Sequence, residues 1–451
     1  MMKPLIVVQG PVATRSGYGN HTRDIVRSLI AMDKYDIKII SLPWGNCPMN
    51  ALNVQDPKDQ PILKRMLVQQ LTRQPDIYIQ ISVPNEFCLA PDGKTEVKPG
   101  KFNIGITAGV ESNIMPAECI QGCNRMDMVI TVSKHTDDVL KQTIFDRMDN
   151  ESKKKDGELR LEKPTEILLE GADLDVYKKT SDIDKSVVDE LAQIPEQFCF
   201  LVCGHWMKGD LGEDRKDIGM TVKTFLETFK NTGKTKRPAL ILKCSGAGFS
   251  IMDRDIVWQK IQAILEPYDN DAPNIYLLHG DLSDNEMNSL YNHPKIKAMV
   301  SFTKGEGYGR PLLEFSLSGK PVIASNWSGQ LDFLHPNYCT LLPGNLTKVH
   351  HSAADRFCLK DASWYTVQYQ YASKVLKDVF KNYKKYLVLS RKQAHHARTN
   401  FSMDKMTEVF AGILDKINVP QQVGLNLPKL NKVGGNKAPE IKLPKLKKVQ
   451  A

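Results

Sequence analysis

Short runs dominated by Ile, Val and Leu alternate with longer polar stretches in which apolar residues fall three or four positions apart. The first series of runs is "LIVVQ" (5–9), "DIKIIS" (36–41), "DIYIQIS" (76–82), "FNIGIT" (102–107) and "DMVITVS" (127–133). "TEILLEGADLDVY" (165–177) supplies a last strand and an exit. A second series follows with "QFCFLVCG" (197–204), "PALILKCSG" (238–246), "NIYLLHG" (274–280), "KAMVSF" (297–302) and "KPVIAS" (320–325). Helical spacing fills the gaps, as in "HTRDIVRSLIAM" (21–32), "MTVKTFLETFK" (220–230) and "DIVWQKIQAILEPY" (255–268). This rhythm predicts βαβ units with parallel sheets covered on both faces. The Pro-, Gly- and Asn-rich stretches 43–61 and 83–101 read as loops, and "DNESKKKDGE" (149–158) as a solvated charged loop.

Two series imply two doubly wound, Rossmann-like α/β domains, and 451 residues are too many for one compact core. The expected divisions are an N-terminal domain over 1–175, a second domain over 176–385, helices over 386–418 crossing back to the first domain, and a tail over 419–451. Such domains face each other across a cleft at the carboxyl ends of both sheets.

Composition changes this picture only at the end of the chain. Apolar residues are 41% and charged residues 25%, which fits a soluble globular class. No apolar run approaches a transmembrane length, and "MMKPLIVVQGP" reads as a first strand, so a cytoplasmic location is expected. Nine scattered cysteines fit reduced structural thiols. The net charge is +9, but from Gly424 onward there are seven lysines against one glutamate. That segment repeats "LPKLNKV" as "LPKLKKV" and has few large apolar residues, so a disordered basic tail is expected.

The chemistry concentrates in "FTKGEGYGRPLLEFSLSGKPVIASNWSG" (302–329), where Glu306 and Glu314 stand eight positions apart. A strand leads into a glycine loop, then a short helix with Pro311 at its start and Gly319 past its end. Glu306 falls just before that helix and Glu314 one turn inside it. The N–H groups of Gly307, Tyr308 and Gly309 point the same way, toward a helix end that favours anions. Such donors take phosphate or sugar oxygens, and the carboxylates accept from hydroxyls, so a nucleotide-sugar fits. Either glutamate alone would read as a loop residue or a helix-dipole partner.

The segment "GEGYGRPLLEFSLSGKPVIAS" (305–325) resembles the E-x7-E signature of retaining GT-B glycosyltransferases of the family-4 type. "NIYLLHGDLSDNEMNSLY" (274–291), "DMVITVSKHTDDVL" (127–140), "LLEGADLDVY" (168–177) and the stretch 200–229 are similar to other segments of that family. The resemblance covers most of 1–417 and not the tail. It implies the GT-B fold, with Glu306 on the donor sugar and Glu314 on the ribose. It also implies a basic pair on the diphosphate, for which Arg215 and Lys216 are the candidates. Where the family has Gly-Arg at a strand end, this chain has Gly204-His205. The loop 9–22, with Gly17 and Gly19, corresponds to one near the donor phosphates. The family's histidine after the fourth strand is missing from "ITAGVESN" (106–113), which leaves Glu111 as the candidate for acceptor binding or proton handling.

The function expected is retaining transfer of a hexose or pentose from a nucleoside diphosphate to an unidentified hydroxyl. Basic residues would stand in for a metal, and no cofactor is expected. The rival readings are transfer to modified bases in DNA, a GT-B epimerase or phosphorylase, and a non-catalytic nucleotide-sugar-binding protein. The basic tail suits nucleic acid or another anionic surface.

Overall fold

The computed structural model describes residues 3–417 apart from 150, 153, 247 and 269–271. The expected disorder of the lysine-rich tail lies outside the described residues. The first series of apolar runs forms one six-stranded parallel sheet, in the spatial order Asp36–Ser41, Leu5–Gly10, Ile77–Ile81, Phe102–Thr107, Met128–Thr131, Thr165–Ile167. Ile6, Val8, Ile79, Ile104 and Ile106 are fully buried, as expected where helices cover both faces. The order reverses between Leu5–Gly10 and Ile77–Ile81.

The second series forms another six-stranded parallel sheet, in the order Ile275–Leu277, Ala239–Ser245, Cys199–His205, Ile296–Ser301, Val322–Ser325, Thr340–Leu342. Here the reversal falls between Cys199–His205 and Ile296–Ser301. Loops leaving the carboxyl ends of two such strands turn to opposite faces, so a crevice opens between them. That crevice receives the glycine loop after Ser301.

The structure departs from the sequence pattern in three places. The first helix spans Gly17–Met32, starting four residues before His21, because Ser16 caps it by accepting from Gly19 N at 2.9 Å. The charged stretch expected as a loop is partly strand: Phe145–Met148 pairs antiparallel with Lys155–Leu159. Its side chains are too uniformly polar to show strand alternation. A second hairpin pairs Gly344–Lys348 with Ser363–Val367, and its connection 349–362 reaches the first domain. There Asn113 N donates to Ser363 O at 2.9 Å, and Phe357 packs beside the cluster of Phe87, Cys88 and Val110.

The chain crosses between the two sheets twice, side by side. Ala172 N donates to Phe401 O at 2.8 Å, and Met403 N to Ala172 O at 3.0 Å. After the second crossing the helix Met403–Asp415 lays Met406, Phe410, Ile413 and Leu414 into the core of the first sheet. All nine cysteines are free thiols, and Cys88, Cys119, Cys123, Cys199 and Cys244 are core residues. Among the described residues no helix is long and apolar enough to cross a membrane.

Candidate active site

The crevice of the second sheet is built on a buried lysine. Lys304 has 1% side-chain exposure, and the segments 215–217 and 365–366 converge on it. Its N–H donates to Arg215 O at 2.8 Å, its Nζ donates to Thr366 Oγ1 at 2.8 Å, and its carbonyl accepts from Tyr365 N at 2.9 Å. Its ammonium lies 3.8 Å from Asp217 Oδ2, which also accepts from Tyr369 Oη at 2.7 Å. Asp217 has φ of +52°, a left-handed conformation that Asp tolerates better than most residues. It turns the chain from Arg215 and Lys216 into the helix Ile218–Phe229. Burial raises the Asp217 carboxyl to about 7, with Lys304 opposing.

This framework aims two cations at two carboxylates. Lys216 Nζ donates to Glu306 Oε1, and Arg215 Nη1 donates to Glu111 Oε1. The second pair joins the two domains, since Glu111 belongs to the loop after Phe102–Thr107. Burial works to raise the Glu306 carboxyl, but the charges of Lys216 and Arg215 outweigh it and hold it below its usual range. Burial also lowers the Lys216 ammonium, with Glu306 opposing. Lys216 runs beside Gly204 at the strand end, and His205 Nδ1 lies 3.1 Å from Ser245 Oγ.

The glycine loop is pressed against the other domain. A Cβ at Gly305 would stand 2.0 Å from Glu111 O, and one at Gly307 would stand 2.5 Å from Ala108 O. Only glycine permits that backbone approach. Ser328 Oγ accepts from Glu306 N at 2.9 Å, and Glu306 O accepts from Gly329 N at 3.0 Å. Gly309, at φ +98°, caps the helix Arg310–Ser316. Tyr308 points inward, donating from Oη to Glu170 O at 2.7 Å.

Below the loop lies a buried ionic cluster. Arg310 Nε donates to Glu314 Oε1 at 2.9 Å, and Arg310 Nη1 reaches both Asp24 Oδ2 and Glu170 Oε2, the latter at 3.3 Å. Three carboxylates from three segments thus share one guanidinium. Burial raises the Glu314 carboxyl to about 8 despite Arg310. His21 is buried nearby with neither ring nitrogen hydrogen-bonded.

The loop after the first strand is held by Tyr18. Its hydroxyl lies 3.0 Å from Thr107 Oγ1 and accepts from Ala108 N at 3.0 Å, and its ring stacks on Trp44 at 4.3 Å. Gly17 is exposed at the helix start. Gly19 packs inward instead, because a Cβ there would stand 2.3 Å from Thr14 O. Its absent side chain serves the loop's own fold.

Glu306, Lys216, Arg215, Glu111 and Gly307 thus lie at one junction, with Gly204 and His205 along its wall and Glu314 buried one helical turn away. The Tyr308 side chain turns away from that junction into the core. The pattern assigned no role to Lys304, Asp217, Arg310, Asp24 or Glu170. The available signals were charged residues inside otherwise apolar segments, such as Glu170 in "LLEGA" and Lys304 in "FTKG".

The paired parallel sheets, the crevice at the reversal and the returning last helix define the GT-B fold. No family model and no curated protein sequence matches the chain. Solved structures do. The chain is similar to HepE from Anabaena in complex with UDP and glucose, at 13% identity and a TM-score of 0.57, covering 92% of this chain and all of that one. It is also similar to sucrose-phosphate synthase from Thermosynechococcus elongatus, at 11% identity and a TM-score of 0.61, covering 92% and 98% of the two chains. A glycosyltransferase from Rickettsia africae matches at 13% identity and a TM-score of 0.55, covering 92% and 100%.

Proposed function

We propose that the chain is a retaining glycosyltransferase that moves a sugar from a nucleoside diphosphate to a hydroxyl acceptor without a metal ion. The observation that carries this reading is the Lys216–Glu306 pair at the crevice of the second sheet, with Arg215 beside it. A cation pair at a strand reversal suits a diphosphate, whose negative charge grows as the glycosidic bond breaks. The structures of HepE with UDP and with UDP-glucose support a nucleotide-sugar donor.

In this reading the donor diphosphate takes Lys216 and Arg215 from their carboxylates. Glu306 then accepts hydrogen bonds from the sugar hydroxyls, and Glu314 from the ribose. The bond from the anomeric carbon to the phosphate oxygen breaks while the acceptor oxygen bonds to the same face. The acceptor proton passes to the leaving phosphate oxygen. Displaced from Arg215, Glu111 is left to bind the acceptor. The protein's contribution is positioning and fixed charge.

The test is release of nucleoside diphosphate from a panel of nucleotide-sugars, with and without EDTA. At least one donor should be hydrolysed, with EDTA having no effect and Glu306→Gln abolishing release. A folded protein that binds UDP and hydrolyses no donor would leave a non-catalytic binder as the better reading. An α-linked product from an α-linked donor, read by NMR, tests retention.

A further inference from the structure

Residues 369–400 hold eight lysines and arginines against one acidic residue, Asp378. With the tail they exceed the whole net charge of +9, so the rest of the chain together is net acidic. Lys374, Lys377 and Lys381 lie on the helix Tyr369–Lys381, and Lys384, Lys385, Arg391, Lys392 and Arg398 on the helix Tyr383–Asn400. All eight are exposed, and none has a carboxylate within 4.0 Å among the described residues. Elsewhere exposed cations pair readily, as in Lys134–Asp138, Arg147–Asp156 and Lys405–Glu408.

The arrangement is directional. Lys384, Val388, Arg391, His395 and Arg398 follow one another at three- and four-residue steps, which places them on one helix face. The same helix buries Ser390, Gln393, Ala394 and Ala397 against its own domain. Beside the stripe is a groove of about 410 Å³ lined by Tyr338, Arg391, Lys392, His395, His396, Thr399 and Asn400. Its walls offer cationic and neutral hydrogen-bond donors and no carboxylate.

We infer that this face binds the phosphate backbone of a nucleic acid. Unpaired cations in a row attract a polyanion, with counterion release as the driving force. A concave groove with donors on its walls admits a ridge of phosphates, which a flat bilayer does not present. The apolar side of the helix is spent on the domain core, leaving only Val388 exposed within the stripe, so insertion into lipid has little to drive it. The inference is independent of the donor chemistry proposed above.

The test is fluorescence anisotropy of a labelled 30-base-pair duplex with the full chain, from 50 to 250 mM NaCl. Two variants are compared: Lys384→Gln/Arg391→Gln/Lys392→Gln, and the full chain with its seven tail lysines changed to Gln. Unchanged thermal melting and UDP-glucose binding show that each variant is folded. The first variant should bind at least tenfold more weakly at 50 mM, and its log–log salt slope should fall by about three phosphate contacts. An affinity and slope equal to the parent's, with binding lost only in the tail variant, would overturn the inference. So would capture on phosphatidylserine vesicles with no duplex binding at 50 mM.

Discussion

Arg310 and Asp24 meet across the two domains: the guanidinium, one residue past the glycine loop, donates from Nη1 to the carboxylate on the first helix. Glu170, from the segment where the chain leaves the first domain, completes the contact at 3.3 Å, and Glu314 holds the opposite edge of the same guanidinium at 2.9 Å. One cation therefore fixes the rotamer of a candidate ribose-binding carboxylate and ties it to the other domain. Arg310→Gln leaves three carboxylates facing each other in a buried site, and removing one partner of a buried ion pair costs about 3–5 kcal/mol. Chemical denaturation should show that loss. Asp24→Asn leaves Arg310 two partners and should cost markedly less. Equal costs would mean that the guanidinium does not act as the hub.

Lys216→Ala should lower turnover by about 10²–10³-fold while changing donor affinity only a few-fold, because the charge it meets grows in the transition state. Single-turnover rates and equilibrium binding of the same donor separate the two effects. A parallel loss in both would make Lys216 a ground-state contact.

Glu314 supplies a pH dependence. Burial raises its carboxyl from the usual range to about 8. A ribose diol donates hydrogen bonds, which favours the ionised form, so donor binding should release a proton between pH 7 and 8. Calorimetry with UDP-glucose in buffers of different ionisation enthalpy reads this release directly, since its diphosphate does not titrate there. Affinity should rise from pH 6.5 to 8.5, and Glu314→Gln should flatten both signals. A proton uptake instead would place another group in that role.

Much of this architecture was legible in the sequence because parallel strands buried on both faces are near-continuous apolar runs. Both series of Ile- and Val-rich segments became sheets, and Pro311 marked the helix start. Glu306 and Glu314 are candidates the sequence can offer, because their spacing relative to the glycines of the loop is local. The ionic hub was not legible, since Asp24, Glu170 and Arg310 are far apart in the chain and meet only through the packing of two domains. The hairpin Gly344–Lys348 with Ser363–Val367 was missed for a related reason: Gly344–Lys348 is largely exposed and has no apolar alternation. Gly19 shows a local limit: a glycine packed closely against Thr14 O looks the same in sequence as one that admits a ligand.

Asp217 gives a stability signature that needs no substrate. Its carboxyl is raised to about 7 by burial, with Lys304 only partly compensating, while in the unfolded chain it returns to about 4. Between those values the folded state binds more protons than the unfolded state. The contribution of this group to stability therefore falls as pH rises from about 4 to about 7, and is flat above. Asp217→Asn tolerates the left-handed backbone and retains an oxygen for the Tyr369 hydroxyl, yet it cannot titrate. Its stability relative to the parent should accordingly improve as pH rises through that window. Denaturant unfolding at pH 5 and pH 8 gives the comparison. A variant whose deficit grows with pH would mean that Lys304 stabilises the ionised carboxylate more than burial opposes it, and that Asp217 is charged throughout the physiological range.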